Sequence, residues 1–190
     1  MSLIKTPDLE DGRTTFTYSP ITHMLRVYTY FVQNLFKEEN PLRIKFVEDE
    51  ENTDVIIRAS NAINAEVVNK KPAVLIHRAG FRFPPFAIGG DLHNKDFRTG
   101  EVKRSALITG QIYFSVIGEN DAYVDDIAWY IVESIWALRR VEGGNLFDGS
   151  GDFVISPPSS PTGLVQGDFS ELVAVQVVLT VRLIRKSSVS

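Results

Sequence analysis

From Phe169 to Ile184 the chain alternates over sixteen residues, with Val173, Val175, Val177, Leu179, Val181 and Leu183 at every second position. A period of two is the pleat of a strand whose one face meets a core. Sixteen extended residues span about 50 Å at a rise of about 3.3 Å each. A compact domain of 190 residues is only about 40 Å across. The strand must therefore bend at a bulge or run past the body of its domain. In the second case its edge of unpaired N–H and C=O groups needs protection or a partner chain.

Two stretches carry helical periodicity. Ser19-Pro20 offers a hydroxyl N-cap followed by proline at the first helical position. Ile21, Met24, Leu25, Tyr28, Phe31, Val32, Leu35 and Phe36 then recur at steps of three and four, which predicts a core-facing helix that Asn40-Pro41 stops. A second helix, capped by Asn120 or Asp121, follows from Val124, Ile127, Ala128, Ile131, Ile135 and Leu138. Trp129, Val132 and Trp136 widen its apolar stripe, and Gly143-Gly144 ends it.

Between and after these lie strand signals. Leu42 to Val47 alternates, and Val55-Ile56-Ile57 follows the acidic turn Glu48-Asp49-Glu50-Glu51-Asn52, so the two stretches are expected to pair as a hairpin. Pro72 precedes a short buried strand from Ala73 to Arg78. Glu101 to Ile117 reads as one long strand, or as two broken near Gly110, and Phe153-Val154-Ile155 as a short one. Gly80 to Gly100, with Pro84-Pro85 and Gly89-Gly90, reads as a long loop. It holds Phe81, Phe83, Phe86 and Phe97. Burying each fully is worth about 1.5 to 3 kcal/mol, so their own domain or a neighbour must cover them.

These elements predict an α+β fold: a mainly antiparallel sheet packed by two long amphipathic helices, with extended hairpin and loop elements. Residues 1–18 are expected to be partly irregular, 19–186 to form a single domain that includes the 80–100 loop, and 187–190 to be a tail.

Chemistry is sparse. The absence of cysteine removes disulfides, thiolate nucleophiles and Cys-ligated zinc. His23, His77 and His93 stand far apart, without metal-ligand spacing. There is no nucleophile elbow, Walker A loop or dinucleotide fingerprint. Asp148-Gly149-Ser150-Gly151-Asp152 faintly resembles a calcium loop but lacks the downstream Glu and the flanking helices, so a plain turn is expected. Asp125-Asp126 suit the first turns of a helix. No enzymatic activity, cofactor or metal is expected. A net charge of -4 gives no general attraction to phosphate backbones, so specific nucleic-acid binding is not expected. Met1 to Asp11 lacks the pattern of a signal peptide and no apolar run reaches the roughly 18 residues of a membrane span, so folding in a cytoplasm, away from membranes, is expected.

The element order from Lys71 onward carries a resemblance. Lys71-Pro72-Ala73-Val74-Leu75-Ile76-His77-Arg78 leads to Ser105-Ala106-Leu107-Ile108-Thr109-Gly110-Gln111-Ile112, then to Glu119-Asn120-Asp121-Ala122-Tyr123-Val124-Asp125-Asp126-Ile127-Ala128, and last to the long strand from Phe169. This resembles the tail terminator, or tail completion, proteins of tailed bacteriophages over roughly two thirds of the chain, as a profile of elements. The resemblance implies a hexameric ring, assembled in the host cytoplasm and resident in the virion neck. Such a ring caps the tail tube, stops its polymerisation, docks to the head-side connector and, in a contractile tail, meets the sheath. DNA passes through it. A head-completion or neck protein is the alternative, and a small-ligand binder or hydrolase using residues 80–100 as a lid a more distant one. Expected subunit or tube contacts are Phe81, Arg82, Phe83, Phe86, Phe97, Arg98, Val181 and Leu183. Glu48, Asp49, Glu50 and Glu51 are candidates for lining the bore, weighed against an ordinary solvated turn.

Overall fold

The computed structural model describes residues 20–60, 71–80, 82, 92–95, 102–138, 152–164 and 172–189. Helix α1 runs Pro20–Lys37 and helix α2 runs Asp121–Leu138. The strands are β1 (Ile56–Arg58), β2 (Ala73–Arg78), β3 (Leu92–Lys95), β4 (Val102–Gly118), β5 (Asp152–Ile155), β6 (Thr162–Leu164) and β7 (Leu172–Val189). They form a seven-stranded sheet with the path β1-β2-β4-β7-β5, in which β3 also pairs with β4 and β6 with β7. Every pairing is antiparallel except β1 with β2. The α+β architecture expected from periodicity is the one observed.

Alternation along the strands sorts side chains between two faces. Val74 and Ile76 on β2, Ile112, Phe114 and Val116 on β4, and Val175, Val177, Leu179 and Val181 on β7 belong to one buried cluster with both helices. α1 contributes Met24, Tyr28, Val32 and Phe36, and α2 contributes Val124, Ile127, Ala128, Ile131, Val132 and Ile135. Edge-to-face contacts of Tyr28 with Phe114 and of Phe36 with Tyr130 join the helices to the sheet and to each other. Burial pushes the Tyr28 phenol well above its ordinary range. On the opposite face Ile56, Ala73 and Leu172 form a smaller cluster, with Ile117 against it.

Both helix boundaries have identifiable causes. Beyond α1, the buried Asn40 side chain donates to the Ile44 carbonyl at 2.6 Å and accepts from the Ile44 N–H, folding the chain back so that Ile44 enters the core. Arg43 takes a positive φ of 55° within that turn. At α2 the cap is Asn120, whose side-chain oxygen accepts from the Tyr123 N–H and whose carbonyl accepts from Val124. Gly118 closes the turn from β4, because a Cβ there would lie 2.9 Å from Val124 Cγ2.

Three expectations need correction. Residues 42–47 form no strand, so the hairpin across the acidic turn does not exist as a ladder. Side chains take its place: the Asp54 carboxylate accepts from the Lys45 N–H and the Thr53 hydroxyl from the Val47 N–H, beside one main-chain bond from Asp54 to Lys45. β1 instead pairs parallel to β2, which buries Ile56 and Ile57 on opposite faces of the sheet. Second, the 80–100 segment is not loop throughout, since β3 lies in it and pairs with β4 from Leu92↔Ser105 to Lys95↔Val102. Third, residues 187–189 continue β7 rather than forming a tail.

The segment after β5 shows how prolines are accommodated beside β7. Pro157 and Pro158 have no N–H to donate. The Ser156 and Ser159 hydroxyls accept from the Val178 and Gln176 N–H groups, each at 3.0 Å, and their own N–H groups donate to the Val178 and Gln176 carbonyls. The edge of β7 stays satisfied until β6 resumes pairing at Thr162↔Ala174.

Candidate assembly surface

β4 and β7 pair without interruption from Val102↔Val189 to Gly118↔Val173. Gly110 does not break β4, because it sits in register opposite Val181. Of the two possibilities left by the alternating sequence, a bulge against β4 is excluded, because the β4/β7 register never slips. β2 and β5 stop well before the ribbon does, and β3 accompanies β4 to its end. β2 leaves β4 at Arg78↔Ile112, with only the isolated bridge Arg82↔Thr109 continuing that edge until β3. β5 leaves β7 at Asp152↔Arg182. Among the described residues, nothing pairs with the outer edge of β7 from Leu183 to Val189.

The expected contact residues distribute unevenly on this frame. Val181 is 2% exposed and belongs to the core, so it offers no surface to a partner. Arg82 is exposed and held to Thr109 by two main-chain bonds of 2.7 and 2.9 Å. Leu183 stands in the projecting ribbon, opposite Ile108. Phe81, Phe83, Phe86, Phe97 and Arg98 lie outside the described residues, as does the Gly143-Gly144 helix stop. Of the 148–152 segment only Asp152 is described, and it opens β5.

The acidic turn is built into the body by its neighbours. Glu48 pairs with Lys37 at 3.2 Å and Glu50 pairs with Arg58. The Lys71 ammonium donates to the Glu50 and Glu51 carbonyls, and Asp49 accepts from the Asn52 amide and the Glu51 N–H. Lys37 at the end of α1 also complements the helix dipole. A local structural role therefore accounts for Glu48, Asp49 and Glu50.

Periodicity missed the outer face of α2. Trp129 and Trp136, expected to widen the buried stripe, are 44% and 54% exposed. Asp126 and Glu133 are exposed on the same helical face, at the three- and four-residue steps between them. Those interleaved carboxylates were the available signal, because a charged residue one turn away on the same face argues against burial.

Among the described residues no three or more His, Asp or Glu side chains cluster as a metal site, and no helix is long and apolar enough to cross a membrane. His77 stacks on Tyr113, its partner across β2 and β4, with ring centroids 5.4 Å apart. Its Nδ1 is buried and has no hydrogen-bond partner among the described residues. Burial holds the imidazole below its ordinary pKa of 6.5, outweighing the opposing pull of the Leu75 main chain. The folded state thus favours neutral His77. Its contribution to stability is present above pH 6.5 and declines as the pH falls through the lower folded value. Denaturant titrations of wild type and His77→Phe at pH 7.5 and 5 check this: the wild type is expected to lose more stability over that interval than the variant, whereas equal losses refute it.

No protein-family model matches the chain, and no curated protein does so either.

Proposed function

We propose that this chain is a structural subunit of a phage-tail neck ring, of the tail terminator kind, which caps the tail tube, stops its growth and presents a docking surface to the head-side connector. The β4/β7 ribbon is the observation that carries the reading: its paired strands run past β2 and β5 with only β3 beside them, and the outer edge of β7 beyond Arg182 has no partner among the described residues. Main-chain groups on such an edge favour addition of a strand from another chain. Contacts between a projecting arm of one subunit and the body of the next are head-to-tail, and they close into a ring when the rotation permits. The element order resembling tail terminators supports the same role.

Negative-stain microscopy of the purified protein, alone and mixed with tail tubes, tests this directly. A sixfold ring seated on one end of each tube is the expected image. Rings that bind DNA-filled heads and ignore tubes favour a head-completion protein instead. A protein that stays monomeric and leaves tube length unchanged removes the assembly reading altogether.

A further inference from the structure

An edge strand with unpaired main-chain groups accepts a strand from another chain, so a sheet stays unassociated at an edge only where something occupies it. β1 stands at one end of the sheet path, with β2 on its inner side. Successive residues of a strand direct their main-chain groups to alternate sides. Ile56 donates to the Pro72 carbonyl at 2.9 Å and so faces β2, which turns the main-chain groups of Ile57 to the outer side. That outer carbonyl is taken: the Gln33 side chain reaches it from α1, its Nε2 donating at 3.3 Å. Just before β1, the Val55 carbonyl accepts from the Thr53 hydroxyl at 2.8 Å. Val55 and Ile57 bury their side chains in the main core and Ile56 in the smaller cluster, the alternation that sets Val55 with Ile57. Both carbonyls are thus occupied by side chains.

Other features of this edge act in the same direction. β1 is only three residues long. Arg58 at its end is exposed and pairs with Glu50. α1 lies against it, with Val32, Phe36 and Ile57 in one cluster. Shortness, charge and a covering helix are ways in which sheets avoid edge-to-edge association. On the far side of the sheet path the device is different. Pro157, Pro158 and Pro161 lie between β5 and β6, and proline has no N–H to offer a further strand. Gln33 itself is half-buried beside the core stripe of Met24, Tyr28, Val32 and Phe36 but not part of it. Its amide is the group whose removal changes the edge and leaves that stripe intact.

We infer that Gln33 is a guard on β1: its amide holds the outer edge closed, so that the β1 strands of two copies of this chain do not add to one another about a two-fold axis. The guard goes beyond the assembly role proposed above and does not depend on it, since it acts on whatever species the wild type forms.

Light scattering over a concentration series tests the guard on the full-length chain, with circular dichroism to confirm folding. Gln33→Ala removes the donor, and Gln33→Met removes it while keeping the length of the side chain. Each is expected to reach at least about twice the wild-type mass, through pairing of β1 with β1. Gln33→Lys retains a donor of similar reach and is expected to keep the wild-type mass. A folded Gln33→Ala or Gln33→Met chain that keeps the wild-type mass at every concentration overturns the guard. So does a Gln33→Lys chain that associates as Gln33→Ala does, because association then follows from altered packing and not from the lost donor. Should Gln33→Ala unfold, Gln33→Met decides by the same criterion, and an unfolded Gln33→Met chain overturns the guard by making Gln33 a support of the fold. The wild-type mass by itself tests the ring: a monomeric wild type removes the assembly role and leaves the guard to be judged by the ratio of variant to wild-type mass.

Discussion

A chain ended after Arg182 is expected to fold and to lose all assembly, running as a monomer where the full chain forms a ring. The prediction follows from what the truncation keeps. Among the β7 residues whose burial is described, Leu172, Val175, Val177, Leu179 and Val181 are buried, and the truncation retains all five. The pairing of β7 with β4 survives from Gly118↔Val173 to Thr109↔Arg182, and β5 keeps all four of its register positions. What disappears is the stretch from Leu183 to Val189, whose outer edge no described residue pairs. The described core is retained, so the thermal midpoint is expected to fall by no more than a few degrees, corresponding to about 1 kcal/mol or less at this chain length. Light scattering and a thermal melt read the two effects separately. An assembled truncated protein contradicts the role given to the ribbon. An unfolded one shows instead that the arm supports the body.

Phe114→Ala is expected to have the largest effect on stability. Phe114 is fully buried, stands in register between Ile76 on β2 and Val177 on β7, and meets the Tyr28 ring of α1 edge to face at 6.1 Å. Truncation removes the ring's transfer free energy and leaves a cavity bounded by a strand on each side and a helix above. Replacements of this kind cost about 3 to 5 kcal/mol. Against a total stability of about 5 to 15 kcal/mol for a domain, that is a large fraction. Ile112→Val, two residues along the same buried face, deletes a single methylene and is expected to cost about 0.5 to 1.5 kcal/mol. Urea denaturation measures both. Equal losses for the two variants contradict the central position assigned to Phe114.

Much of this architecture was legible wherever burial imposes a simple period. The stripe from Met24 to Phe36 found the core because a helix lying on a sheet buries one face, and the α1 residues at four-residue steps are the buried ones. Val175 to Val181 were read correctly for the corresponding reason in a strand. Trp129 and Trp136 show where the rule fails. Hydrophobicity alone placed them with Ile131 and Ile135, but an 18-residue helix on one side of a single sheet buries only one stripe. The indoles fall outside it. Of the residues named as contacts, Val181 proved to be core because its alternation, which suggested a projecting strand, is equally that of a strand whose near half is covered.

What the amino-acid sequence determined by itself was local: the two helices, most of the extended segments, a cap at Asn120 or Asp121, and a long alternating C-terminal strand. Those follow from propensity, capping and period, which act over a few residues. Only the tertiary structure decided which strands became neighbours. The parallel β1/β2 pair, the insertion of β3 beside β4, and the choice of an unbulged ribbon over a bent strand each join residues distant in sequence, often with equally apolar competitors. Main-chain hydrogen bonds are the same for every residue except proline, so pairing is selected by how the whole set of buried faces packs at once. The long alternating strand left a bulge and an arm both open; its register with β4 excluded the bulge and decided which strands lie on either side of the ribbon.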